Sequence, residues 1–131
     1  MPRLSLMIIA LAGALAGCVA AHGPVVDLRP YSLNAKQMAQ IRGAAGKELR
    51  DPDGAQFRNI QARRVRHQDG TARIVVCGAM NAKNQYGGYV GYSAFGGEID
   101  QKGDFTLTDR DTTSFRYVEA GCRQNYGMPI N

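Results

Sequence analysis

The sequence predicts an α+β fold: an antiparallel sheet of about four strands, with a helix before it and a short helix after it. Three observations predict it. Met38, Ile41, Ala45 and Leu49 recur at spacings of three and four, which places them on one face of a helix. Strand-like segments rich in β-branched and aromatic residues then follow one another through turn signals such as Asp69-Gly70. Near the end, Phe115, Val118 and Cys122 return to spacings of three and four.

Taken in order, residues 19–31 (VAAHGPVVDLRPY) carry small residues and two prolines without a period. They read as a flexible tether reaching about 20 Å. Ser32 is placed to cap a helix that runs to about Arg50. Gly43 and Gly46 weaken this helix by about 1 kcal/mol each against Ala, or let it approach a sheet closely. Asp51-Pro52 ends it, because a residue before proline avoids the α region. Residues 51–57 then form a turn that delivers Phe57 to the core.

Residues 57–67 read as the first strand. Ile60 and Ala62 share one face while Val65 falls on the other, so a bulge is expected near Arg63 and Arg64. After the Asp69-Gly70 turn, residues 72–80 form a strand in which Ile74, Val75 and Val76 are apolar on both faces. Such a strand is central and covered on both sides, at least in part. A polar loop over 81–88 leads to a third strand at 89–95, then Gly96 and Gly97, then a fourth at 104–108. Residues 112–114 offer a cap for the last helix. The stretch 74–97 (IVVCGAMNAKNQYGGYVGYSAFGG) is the hub of this scheme.

The first eighteen residues address the compartment. Arg3 supplies a positive start, residues 4–15 an apolar core, and Leu15, Ala16, Gly17 and Cys18 close the segment. The apolar core is shorter than the roughly 20 residues a spanning helix needs. This arrangement resembles the signal peptide and lipobox of bacterial lipoproteins. The resemblance implies cleavage after residue 17, attachment of a diacylglyceryl group to Cys18, and acylation (palmitate) of the new amino terminus. Several acyl chains together hold a protein on a bilayer almost permanently, where one does so only marginally. Val19, standing where inner-membrane lipoproteins carry Asp, implies sorting to the periplasmic side of the outer membrane. The chain therefore divides into a signal peptide (1–17), a lipidated tether (18–31) and one α+β domain (32–131).

With Cys18 lipidated, two of the three cysteines remain, Cys77 and Cys122, in an oxidising compartment. A disulfide between them is the direct expectation; two free thiols are the alternative. Within the domain, Asp51-Pro52 with Ala55 and Phe57, then Val76-Cys77-Gly78, Asn81-Ala82-Lys83-Asn84 and Gly87-Gly88-Tyr89 with Gly91 resemble a pattern of small secreted and lipid-anchored bacterial proteins of uncharacterised function. Gly54 departs from that pattern, which has Ser there. The resemblance carries no catalytic residue over.

Two surfaces are candidates for binding. Asn81, Lys83, Asn84, Tyr86, Tyr89 and Tyr92 form a rim of donors and flat rings suited to glycans or peptides. The plainer account is an Asn/Gly turn held by its own hydrogen bonds. Arg58, Arg63, Arg64, Arg66 and Arg73 concentrate charge on the first hairpin of a chain with net charge +5. They would suit anionic headgroups, another anionic envelope component or an acidic protein, or would simply keep a sheet edge solvated. Nucleic acid is disfavoured by the compartment.

Catalytic signatures fail one by one. Gly91-Tyr92-Ser93-Ala94-Phe95 starts like a nucleophile elbow but ends in Phe where Gly is needed. His67 and Asp69 flank a turn, His22 sits in the tether, and Cys77 and Cys122 lack metal-ligand spacing, so no metal or cofactor is indicated. Asp109 and Asp111, expected to be exposed, make no persuasive acid–base pair. The expectation is a non-enzymatic outer-membrane lipoprotein acting as a binding or envelope-structural module. The alternatives are a periplasmic inhibitor of a cell-wall lytic enzyme such as lysozyme and, behind it, a wall-remodelling enzyme.

Overall fold

The computed structural model describes residues 22–112 and 115–130. Cys18, the signal segment, Thr113, Ser114 and Asn131 lie outside the described residues. Five antiparallel strands form one sheet in chain order: β1 (Val25–Tyr31), β2 (Gln56–His67), β3 (Ala72–Lys83), β4 (Tyr89–Ile99) and β5 (Phe105–Arg110). Helix α1 (Ala35–Gly46) lies between β1 and β2 in the chain, and α2 (Tyr117–Tyr126) follows β5.

The alternation of β3 explains the layering. Val76 and Met80 point to one face, where they pack with Ile41 and Ala45 of α1 and with Ala62, Phe95 and Ile99. Val75, Cys77 and Ala79 point to the other, where they pack with Val118 and Cys122 of α2 and with Val65, Ala94, Met128 and Ile130. β3 is thus covered on both faces, as its continuous apolar run predicts. Each fully buried side chain of the size of Ile41, Val76 or Phe95 stabilises the fold by about 1.5–3 kcal/mol. Cys77 and Cys122 are bonded to each other, their Cα atoms 6.2 Å apart, so the pair is a disulfide that staples α2 to the central strand.

The sheet has five strands where about four are expected, and the extra one comes out of the predicted tether. Val25–Tyr31 pairs antiparallel with β2, from Val25 opposite His67 to Tyr31 opposite Ala62. Pro30, with Pro24 just before the strand, hides it in the sequence, but an edge strand tolerates proline because one side of its backbone has no ladder to complete. Val25, Val26 and Leu28 stay exposed, so burial leaves no alternating pattern.

Helix α1 begins two residues later than Ser32 predicts. Asn34 is the N-cap: its side chain accepts from the Gln37 backbone N–H at 2.8 Å, while the Gln37 side chain accepts from the Asn34 N–H at 3.1 Å. The helix ends at Gly46, where a side chain would make only ordinary contact with Pro52, and Gly43 has open space around it, so neither glycine is there for a close approach to the sheet.

The bulge in β2 also lies elsewhere. The register shifts between Arg58 and Gln61, around Asn59, which adopts a left-handed φ of 51°. No bulge is needed at Arg63 and Arg64, because Ala62 and Val65 serve two cores on opposite faces. The shift instead lets Phe57 and Ile60 pack against the same core. It also turns Asn59 toward the C-terminal segment, where its amide donates to the Ile130 carbonyl at 2.9 Å and the Gln61 amide donates to the Pro129 carbonyl at 2.8 Å.

β4 runs through Gly96 and Gly97 to Ile99, farther than expected. Gly78 and Gly97 give the aromatic rings of Phe95 and Phe105 room: a Cβ on Gly78 would come within 2.7 Å of the Phe95 ring. Helix α2 starts at Tyr117 with no side-chain cap from its own N-cap residue Arg116. The cap comes from Asp111, whose carboxylate accepts from the backbone N–H groups of Val118 (2.8 Å) and Glu119 (2.9 Å). At the other end, Gly127 in the left-handed region and the bond from Met128 N–H to the Cys122 carbonyl (3.0 Å) close the helix.

Candidate functional site

The β3–β4 tip carries the predicted rim, and most of its polar groups turn inward. The Asn81 side chain, 8% exposed, accepts from Gly91 N–H at 2.9 Å and donates to Gln56 at 3.3 Å. The register slips between Asn81 and Lys83, which swings Lys83 toward the 51–54 turn. There its ammonium meets the Asp51 carboxylate at 2.8 Å and lies 5.6 Å from the centre of the Tyr89 ring. The Tyr89 hydroxyl donates to the Gly54 carbonyl at 2.8 Å. A Cβ at position 54 would collide with the Asp51 carboxylate and approach the Lys83 ammonium, so glycine in place of the pattern's Ser leaves room for this bridge. The hydrogen bond from Lys83, then that from Gly54 N–H, hold the Asp51 carboxyl below the usual carboxylate range, and Asp51 in turn pushes Lys83 up.

Asn84 closes the turn itself, its side chain accepting from Tyr86 N–H (2.9 Å) and Gly88 N–H (3.1 Å). Tyr92 lies half-buried with the Arg58 guanidinium 3.9 Å from its ring centre. Asn81, Lys83, Asn84 and Tyr92 each have a partner within the fold. Tyr86 (86% exposed), Val90 (65%) and part of Tyr89 remain as an apolar tip facing solvent. Val90 is the member that the sequence does not single out.

The five arginines do not form one surface. Alternation along β2 sends Arg64 and Arg66 to the α1 face and Arg63 to the α2 face, the two-residue period separating neighbours. Arg58 is taken by Tyr92, Arg64 lies against Tyr31 at 5.8 Å, and Arg73 pairs with Glu98 at 2.5 Å.

The histidines, in contrast, come together. Folding β1 back onto β2 brings the His22 ring 5.6 Å from that of His67, and His22 Nδ1 3.5 Å from the Asp69 carboxylate. His67 is buried, with Nδ1 3.0 Å from the Gly23 carbonyl oxygen. The carbonyl can only accept, so Nδ1 carries the proton of that bond. Asp69 is engaged by the N–H and hydroxyl of Thr71. Among the described residues no group of three or more His, Cys, Asp or Glu is arranged to hold a metal ion. Asp111 is 5% exposed and caps α2, correcting its expected exposure, and Asp109 accepts from the Tyr117 hydroxyl. Ser93 sits inside β4, donating to the Met80 carbonyl, and not on a strand-to-helix turn.

A cleft that the sequence does not announce lies at the end of the sheet opposite the tip. Its volume is about 960 Å³, and the β2–β3 and β4–β5 turns flank it. Tyr31, Arg64 and Ile74 line it on one side, Arg73 and Glu98 on another, and Lys102 on the β4–β5 turn. Asp100 braces that turn by accepting from the N–H groups of Lys102 (2.8 Å) and Asp104 (3.0 Å). No helix among the described residues is long and apolar enough to cross a membrane. Comparison with family models, with curated proteins and with solved structures finds no match to this chain.

Proposed function

We propose that the chain is a lipid-anchored, non-catalytic binding module of the bacterial envelope, held through Cys18 on the periplasmic side of the outer membrane. The lipobox Leu15, Ala16, Gly17 and Cys18 motivates the anchor. One observation carries the binding role: the exposed tip and the chain's entry lie at opposite ends of the sheet. His22 enters beside Asp69, at the start of β3, while Tyr86 and Val90 stand past its far end. The 12 residues of β3, at about 3.3 Å each, separate the two by about 40 Å. An anchor at Cys18 then presents Tyr86, Tyr89 and Val90 away from the bilayer, toward a glycan or peptide of the envelope. Exposed rings on a rigid hairpin suit such a partner, because they contribute contact area at low entropic cost.

Crosslinking in intact envelopes followed by capture of the protein tests this. A species captured by wild type and lost from the Tyr86→Ser, Val90→Ser double variant supports a binding tip. Capture that is identical in both removes it.

A further inference from the structure

We propose that the cleft at the entry end of the sheet is a binding site for a phosphate group. This goes beyond the binding tip and does not depend on it, since the two lie at opposite ends of the molecule.

Three cationic side chains line the cleft, and their bonding is incomplete. Arg64 is exposed and rests against the Tyr31 ring, with no carboxylate within ion-pairing distance among the described residues. Lys102 is exposed on the β4–β5 turn and likewise has no ion-pair contact among the described residues. Arg73 uses its terminal nitrogens on Glu98 and the Tyr126 hydroxyl, which leaves its Nε–H buried without an acceptor.

The acidic groups of the same walls are already engaged. Glu98 is bridged to Arg73, and Asp100 accepts two backbone N–H groups of its own turn. Arg64, Arg73 and Lys102 against Glu98 and Asp100 leave the lining with a net charge of +1. A phosphate offers several oxygens at once, so it can accept from a guanidinium fork on one wall and an ammonium on the other. Ile74 and the Tyr31 ring line the cleft beside Arg64 and would accommodate an apolar portion beside the phosphate. Both a small phosphate and a phospholipid headgroup carry this chemistry, and the entry end is where a lipid headgroup would be nearest to a chain anchored at Cys18.

The test uses the full-length protein in non-ionic detergent, titrated with inorganic phosphate by calorimetry. The same protein is then compared on vesicles of phosphatidylglycerol and of phosphatidylcholine, by hydrogen exchange over residues 68–73 and 100–104. Saturable phosphate binding that weakens about tenfold in Arg64→Ser and in Lys102→Ser is expected, the size following from losing one charge-assisted hydrogen bond. Arg116→Ser, which alters a cation just before α2 that is paired with Glu119, should bind as wild type. Protection on phosphatidylglycerol alone, lost in the same two variants, assigns a lipid source; phosphate binding without that preference assigns a small solute. Absence of both phosphate binding and lipid-selective protection overturns the site, as does an equal loss in Arg116→Ser. Arg64 and Lys102 are exposed, and unchanged thermal unfolding of their variants excludes misfolding as the cause.

Discussion

The Asp51 carboxylate and the Lys83 ammonium meet at 2.8 Å and join the turn after α1 to the far end of β3. The pair fastens the β3–β4 hairpin beyond Asn81 to the turn after α1, with the Tyr89 hydroxyl on Gly54 as its companion. Asp51 is held below its ordinary 3.8, so its contribution is present above that value and is lost as pH falls through the lowered one. Lys83 is raised above its ordinary 10.5, so its contribution is present below that value and is lost as pH rises past the raised one. The latch is therefore complete between about pH 4 and pH 10.5. Hydrogen exchange at residues 84–88 should rise in Lys83→Met at neutral pH. It should rise in wild type only in acid below about pH 4, with no further acid effect in the variant.

The Cys77–Cys122 bond closes a loop with a sequence separation of 45. In the chain-entropy account such a loop is worth about 4 kcal/mol. Replacing both cysteines with Ala should lower the unfolding free energy by about that amount in denaturant titration. Hydrogen exchange in α2 should be affected before β2 and β3, because the bond is what staples that helix to the sheet. Both sulfur-bearing residues are almost fully buried, so mild reductant should act slowly on the folded protein.

Asp111 supplies the acceptors that the first turn of α2 lacks. Asp111→Ala should cost about 1–2 kcal/mol, the usual range for a lost cap, and should raise the exchange rates of the Val118 and Glu119 amides. Asp111→Asn, which keeps one acceptor oxygen, should lose less. Equal stability of Asp111→Ala and wild type would show that the cap contributes nothing to holding α2.

Periodicity made the double-sided central strand and the middle of both helices legible, because burial at fixed spacing leaves a mark in the sequence, but Leu49 lies beyond α1, and Phe115 precedes α2 and is exposed. Val75, Val76 and Cys77 announce a strand covered on both faces, and two helix layers indeed cover it. β1 was not legible, since an exposed edge strand with Pro30 pays no penalty for breaking its pattern. The sequence points to Arg63 and Arg64 for a bulge that lies at Asn59, because opposite facing of Ala62 and Val65 has two explanations, a bulge or a second core, and the sequence alone does not say that a second core exists. The rim fared similarly. Asn81 and Lys83 look like ligand donors, but their partners Gln56 and Asp51 come from a distant turn that no spacing reveals. The entry-end cleft depends on two turns becoming neighbours, and His22 joins His67 only once β1 has paired.

In the proposed reading, lipid attachment at Cys18 would set which end of the sheet faces the bilayer and which faces the envelope. Metabolic labelling with palmitate, compared between wild type and Cys18→Ala and followed by membrane fractionation, measures it most directly. The expected result is labelled, membrane-bound wild type and an unlabelled variant. Wild type that is unlabelled and as soluble in the periplasm as Cys18→Ala would contradict the account.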